Sequence, residues 1–337
     1  MSTDSGRPAV ADAQDEAPAR APRTGLTAKA GFGDRIFGGG ARAAAVFILI
    51  LMAAIAAFLV FQAVHAISVD KVNFFTSTDW DPDGNNTPNG VPEFGIAALA
   101  WGTLITSLIG VVLGAPVAIG VALFITQYAP RKVGAILGYV VDLLAAVPSV
   151  VYGLRGLLVL DPHMAGVSQI ISDVLGFIPM FKTDGTYGSS IFTAGVVLAI
   201  MILPIIAAIA REIYKQTPHD QIEAAYALGA TRWEMIRMAV LPYGRSGVTS
   251  AVILGFGRAL GETIAVAMVL TTVPGFVFRI LQPGGNTIAA NIATQFGDAF
   301  KTGRQALIAS GMILFLMTLI VNYVARAVVK RSGKAGA

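Results

Sequence analysis

Apolar residues in this chain come in long unbroken runs separated by polar stretches, not in the alternation of strands or the narrow stripes of surface helices. Six runs stand out, approximately 43–67, 96–125, 133–160, 191–210, 247–273 and 307–329. Each reaches or exceeds the ~20 residues a helix needs to cross a hydrocarbon core. The pattern predicts an all-α, polytopic integral membrane protein with six transmembrane helices. The second run is long and carries Pro116, and Pro148 and Pro204 interrupt the third and fourth. Proline is tolerated in spanning helices where neighbouring groups satisfy the freed carbonyl. Six crossings place both termini on one side.

The remaining stretches set the organisation. Residues 1–42 are rich in Ala, Pro, Gly, Asp and Arg and lack apolar periodicity, so a disordered tail is expected. This tail is too long and mixed for the start of a signal peptide, and no small-residue cleavage site follows. The run 43–67 therefore reads as a retained first transmembrane helix, followed by an extracytoplasmic loop at 68–95. Residues 96–330 form the transmembrane core, with a polar loop at 217–242, and 331–337 is a short tail.

Charge decides the sidedness. Arg7, Arg20, Arg23, Lys29, Arg35 and Arg42 lie in the N-terminal tail, and Arg131 and Lys132 follow the second run. Arg211, Lys215, Arg232, Arg237 and Arg245 follow the fourth, and Arg326, Lys330, Arg331 and Lys334 close the chain. The alternate loops hold only Lys71, Lys182, Arg279, Lys301 and Arg304. The positive-inside rule then places both termini in the cytoplasm of a plasma (inner) membrane protein. The formal net charge of +4 is a topology signal and gives no reason to expect nucleic acid. The chain is 55% hydrophobic and only 13% charged, against about 25% charged in soluble domains. It has no cysteine, which excludes disulfides and Cys-based metal sites. His65, His163 and His219 are scattered, so no metal site is expected, and no G-x-x-x-x-G-K-[ST] loop occurs, so the chain is not itself an ATPase. The outer loops 69–95, 161–190 (with a short surface helix near 167–175) and 274–303 read either as landing sites for an external partner or as ordinary connectors.

Two stretches carry chemistry. The first is the loop 217–242. Thr217 is placed to cap a helix, Pro218 suits its first position and Asp220 sits where a capping-box acid would. The helix runs through Glu223, Ala224, Ala225 and Leu228, and Gly229 offers a stop. Thr231 to Glu234 repeats the start, and Pro242 is expected to end the second helix. The product is either a docking knob, with Ile222, Tyr226 and Trp233 as apolar anchors, or a connector packed on its own bundle. The second stretch is GRALGETIAVAMVL in the fifth run. Arg258 and Glu262 are four residues apart, predicting one shared helix face in mid-membrane. Charges there normally face a protein interior or a polar path and have partners. They read either as a mutual ion pair that fixes packing or as an anion site, since a guanidinium fork suits phosphate or carboxylate. Glu262 can neutralise Arg258 between anions and accept a proton from a protonated one. Thr263 stands beside them. Arg155 either lines the same path or snorkels to the outer interface. Asp142 is expected to pair with Arg131 or Lys132, or to pack at an interface.

Glu223-Ala224-Ala225, Gly229, Ala239 and Leu241-Pro242, at these spacings, resemble the EAA motif of ABC-importer permeases. The resemblance implies a type I ABC importer permease fold, with 96–330 as its permease core. The loop would then form a coupling helix docked on an ATP-hydrolysing subunit. Ala239 departs from the usual Ile, which removes one packing contact. GRALGETIAVAMVL, AAVPSVVYGLRGLLVL and FGIAALAWGTLITSLIG narrow the resemblance to phosphate ABC transporter permeases of the PstC type, from about residue 34 onward. It implies that Arg258 and Glu262 serve phosphate translocation. The implied partners are a second permease of the PstA type, two copies of an ATP-binding subunit of the PstB type, an extracytoplasmic phosphate-binding protein of the PstS type, inorganic phosphate and the lipid bilayer. No cofactor is implied. At position 155 the family more often has a bulky aromatic, and at 142 an acid is usual. PstA-type permeases share the coupling loop and an arginine in the related span, but VPSVVYGL and the WDPDG loop fit the PstC type better. Two rival readings remain: an ATP-independent anion transporter or channel, and a membrane scaffold or sensor that transports nothing.

Overall fold

The computed structural model describes residues 32–70, 72–84, 90–273 and 275–334. The expected tail at 1–42 lies mostly outside the described residues, as do residues 335–337 at the end. The chain divides into two units, residues 1–53 and 54–337, and the described part of the first is the opening of helix α1 (Phe32–Val69). α1 thus begins inside the expected tail and runs through the first apolar stretch.

The elements after α1 are a two-stranded antiparallel hairpin, β1 (Trp80–Asp81) and β2 (Glu93–Phe94), then α2 (Ala97–Leu123), extended by a π turn at Phe124–Tyr128. α3 (Arg131–Ala145) is followed by α4 (Ser149–Arg155), a π turn at Gly156–Leu160 and α5 (Asp161–Leu175). α6 (Ile191–Lys215), α7 (His219–Ala227) and α8 (Arg232–Met235) lead through a π turn at Ile236–Val240 into α9 (Leu241–Leu260). α10 (Ile264–Val269), α11 (Ile288–Gln295) and α12 (Lys301–Lys334) complete the fold.

Among the described residues, four helical segments are long and apolar enough to cross a membrane: Ile36–Val69, Ala97–Tyr128, Ile191–Lys215 and Lys301–Ala327. A fifth crossing is available to the pair Arg131–Ala145 and Ser149–Leu175, bent by 90°. Pro148 causes the bend. It supplies no N–H to the turn before it and pushes its neighbour out of helical geometry, and it stands at φ −58, ψ 140 as the N-cap of α4. The surface helix expected near 167–175 is the end of the longer α5. The fifth apolar run is two helices instead of one. Pro116 and Pro204, by contrast, are absorbed inside α2 and α6.

α6 is the central element. Leu198, Ile202 and Ile206 are fully buried, and α2 lies against them through small residues. A Cβ on Gly114 would stand 2.9 Å from the Ala199 carbonyl oxygen, so glycine sets the close approach of the two backbones. Buried hydroxyls on α2 are satisfied within the helix: Thr103 donates to the Leu99 carbonyl and Ser107 to the Thr103 carbonyl, both at 2.7 Å. Thr103 Oγ1 also accepts from the Ile288 N–H at 3.0 Å, tying α11 to α2. The hairpin clamps the same end. Trp80 Nε1 donates to Gln295 Oε1 at 2.7 Å, and the Asp83 carboxylate accepts from the Gly303 N–H at 3.1 Å in the first turn of α12. The two later outer loops are pinned to each other through Asp184, which accepts from Gln282 at 2.9 Å and pairs with Arg279 at 2.6 Å. These bonds, the Gln282 amide foremost, hold its carboxyl below the usual carboxylate range.

Candidate functional site

The charged stretch of the fifth run does not form one helix face. α9 ends at Leu260, Gly261 is its C-cap, and a new helix begins at Ile264. Glu262 sits in the break, 9% exposed, and its Oε1 accepts from the Ala265 N–H at 3.3 Å. The carboxylate thus satisfies one of the donors that a helix start leaves open, which is why the chain restarts there. Thr263 donates to the Gly261 carbonyl at 3.2 Å. Arg258, in the last turn of α9, is exposed and makes no hydrogen bond or ion pair among the described residues. The expectation of a shared face is therefore corrected: the break turns Glu262 to backbone capping and leaves the guanidinium free.

Tyr152 is the neighbour that sequence reasoning passed over. It lies on α4 within electrostatic reach of Arg258, and its hydroxyl donates to the Leu144 carbonyl at 2.8 Å. α4 can come close because Gly153 faces α10: a Cβ there would stand 2.6 Å from the Ala265 Cα. Tyr152 also lines a mostly apolar groove of about 450 Å³ with Arg155, Val159, His163 and Val197. The only signal in the sequence was its position three residues before Arg155. Arg155 is exposed at the end of α4 and is likewise unpaired among the described residues.

The loop 217–242 forms two short helices, as expected, but its capping differs at both ends. α7 starts at His219 with Pro218 as N-cap. Thr217 is 3% exposed and caps nothing, and its hydroxyl has no partner among the described residues. Gly229 closes α7 with φ +79, a left-handed conformation that favours glycine. Thr231 and Glu234 form a full capping box at the start of α8. The Thr231 N–H, and then its hydroxyl, hold the Glu234 carboxyl below its usual range. Pro242 does not end a helix. The π turn before it lets the Leu241 N–H reach the Ile236 carbonyl, five residues back. Pro242, which has no N–H to donate, then sits at the start of α9 without breaking the helix. Residues 232–260 are consequently one continuous helical rod. Glu223 and Ala224 are exposed and Ala225 is buried. Leu228, Trp233 and Tyr226 remain 86%, 56% and 44% exposed, so the knob presents apolar anchors outward instead of packing them on its own bundle. Ile222 and Leu241 pack inward. The Arg232 guanidinium lies 5.6 Å over the Tyr128 ring, joining the knob to the end of α2.

Asp142 pairs with neither Arg131 nor Lys132. Its two oxygens both lie 3.0 Å from Nη2 of Arg211 on α6. The packing of α3 against α6 brings them together, which is not visible in the sequence.

Residues 110–334 match the family model described as binding-protein-dependent transport system inner membrane component. The chain is 45% identical over 302 residues to phosphate transport system permease protein PstC 2 of Mycobacterium tuberculosis, covering 88% of this chain and 91% of that protein. It is 39% identical over 293 residues to phosphate transport system permease protein PstC of Xylella fastidiosa, covering 86% and 88%. Among solved structures, a bacterial alginate ABC transporter in complex with its periplasmic protein aligns over 89% of this chain and 99% of its own, with a TM-score of 0.53 and 16% identity. At that identity the likeness speaks for the fold alone.

Proposed function

The chain belongs to the binding-protein-dependent transport permeases, and within them to the PstC phosphate permeases, and from that premise we propose how its residues carry phosphate. It is a multi-pass inner-membrane subunit of an ATP-driven phosphate importer, and ATP hydrolysis belongs to a separate subunit. A second permease of the PstA type, two ATPase copies of the PstB type and a phosphate-binding protein of the PstS type complete the machine. Both termini lie in the cytoplasm, on the side of the basic loops. The ATPase grips the knob at Glu223, Ala224, Ala225 and Gly229, with Leu241 and Pro242 at the root of the rod. Arg258 holds the passing anion. Glu262, with Thr263 beside it, tunes that hold and keeps the break in place. Arg155 adds a second positive group along the path.

One observation carries this reading. The exposed knob and the charged break are the two ends of a single helical rod over 232–260, roughly 40 Å long at the ~1.5 Å rise of a helix. Force applied at the knob crosses only the short turn at 228–231 and then reaches Arg258 along one helix. The test uses proteoliposomes with defined nucleotide enclosed and phosphate-loaded binding protein supplied outside. Wild-type complexes are expected to accumulate labelled phosphate only with ATP, and Glu223→Lys is expected to abolish accumulation. Uptake that persists without ATP, or that survives Glu223→Lys, would favour an ATP-independent anion transporter.

A further inference from the structure

We infer that a second phosphate site exists at the outer end of the bundle, one that binds through neutral donors and demands a proton on the anion. The inference rests on the phosphate reading above. A cavity of about 530 Å³ lies between the hairpin, the first turns of α2 and α11. This is the end of α2 opposite the coupling knob, which meets α2 at Tyr128.

Two residues lining the cavity carry a buried donor with no hydrogen-bond partner among the described residues, the indole Nε1 of Trp101 and Nδ2 of Asn291. The orientation of Asn291 is fixed by its neighbours. The Thr287 N–H donates to Asn286 Oδ1 at 2.8 Å, so Asn286 must offer its Nδ2 onward. That nitrogen donates to Asn291 Oδ1 at 3.1 Å, leaving only the Asn291 amino group, on a residue 1% exposed. Trp101 is held by stacking on Phe278, with centroids 5.7 Å apart and planes 18° from parallel. Two fixed donors without acceptors are a standing cost unless a ligand supplies acceptors.

The same cavity is lined by three acidic residues, Asp79, Asp81 and Glu93, and no Lys or Arg lines it among the described residues. A fitting ligand must therefore accept from Trp101 and Asn291 and donate to a carboxylate. A cation leaves the two N–H groups unmet. Sulfate, fully ionised, accepts but cannot donate, and the carboxylates repel it. Hydrogen phosphate and dihydrogen phosphate do both. The cavity exceeds one phosphate and has room for several hydration waters at ~30 Å³ each, which suits a site that loads an anion and passes it on.

Trp101→Phe removes the donor while keeping the ring and its stack. The experiment measures equilibrium binding of labelled inorganic phosphate to intact purified transporter complexes, without binding protein and in an Arg258→Gln background that removes the central site. Binding is expected to persist in that background and to weaken about tenfold with Trp101→Phe, the size of one lost hydrogen bond to a charged group. Sulfate is expected not to displace phosphate, and to do so once Glu93→Gln, Asp79→Asn and Asp81→Asn are combined. Absence of binding, indifference to Trp101→Phe, or equal displacement by sulfate from both forms would overturn the outer site. Failure of wild-type vesicles to accumulate phosphate with ATP would overturn the transport reading instead.

Discussion

Arg211 and Arg258 both lie on apolar helices and meet opposite fates. Arg211 has a side chain 11% exposed and is neutralised by Asp142 at 3.0 Å. The fold also clears space for it, since a Cβ on Gly138 would stand 2.5 Å from Nη1. Arg258 is exposed and has no carboxylate or hydrogen-bond partner among the described residues, although Glu262 is four residues away. The nearby acid is turned onto the Ala265 N–H instead. A guanidinium given a permanent partner is architecture, because its charge is already answered. One held in a membrane helix without a partner leaves that answer to something mobile. On the function proposed above, the contrast separates a charge that holds helices together from a charge that handles cargo.

The sharpest way to break the contrast is to remove each arginine in turn. Arg258→Gln is expected to lower phosphate uptake by about 100-fold or more, as loss of a charged partner does for a bound ion. Arg258→Lys is expected to fall between, because it keeps the charge and loses the planar fork. Both are read from initial uptake rates per assembled complex.

Glu262 sharpens it further. The amide oxygen of Glu262→Gln can still accept from Ala265, so the break survives while the carboxylate charge is lost. Uptake is expected to drop about tenfold through slower release, with unfolding temperature unchanged. Glu262→Ala loses the cap as well and is expected to cost a further ~1 kcal/mol of stability, visible in thermal unfolding of the complex.

Arg211→Met is expected to behave the other way round. It strands Asp142, which is half exposed, so the loss is discounted from the buried-pair range to about 1–2 kcal/mol. Adding Asp142→Leu is expected to restore most of that stability, and uptake per folded complex is expected to stay near wild type throughout. The smallest effect belongs to Glu234. Its carboxyl is held below the usual range by Thr231, so its contribution is complete above the unfolded pKa and disappears as pH falls through the folded one. Amide exchange at the start of α8 is expected to accelerate on the acid side in wild type, and to be fast and pH-independent of this group in Glu234→Gln.

Much of this was legible in the sequence for a physical reason: membrane crossing and basic-loop asymmetry are written in composition over long windows. The same holds for the capping box at Thr231 and the glycine stop at Gly229, which depend on residues a few positions apart. What was illegible depends on where helices break and which distant segments they then bring together. Arg258 and Glu262 looked like one helix face because i, i+4 spacing assumes an uninterrupted helix, and a glycine followed by a carboxylate able to cap the next turn interrupts it. Pro242 looked like a terminator because the five-residue turn that absorbs it has no signature of its own. The Asp142–Arg211 pair needed α3 to pack on α6, and Tyr152 stayed hidden because its importance comes from α4 lying on α10 across Gly153. The cavity around Trp101 and Asn291 joins three segments far apart in the chain.

The most direct measurement compares the two arginines in one preparation. Proteoliposomes carrying complete transporters with wild-type, Arg258→Gln or Arg211→Met chains would be supplied with phosphate-loaded binding protein and ATP. Phosphate accumulated per ATP hydrolysed is the quantity to record. The account expects this ratio to collapse for Arg258→Gln while ATP hydrolysis continues, and to hold for Arg211→Met. Equal ratios in all three, or a collapse for Arg211→Met alone, would contradict it.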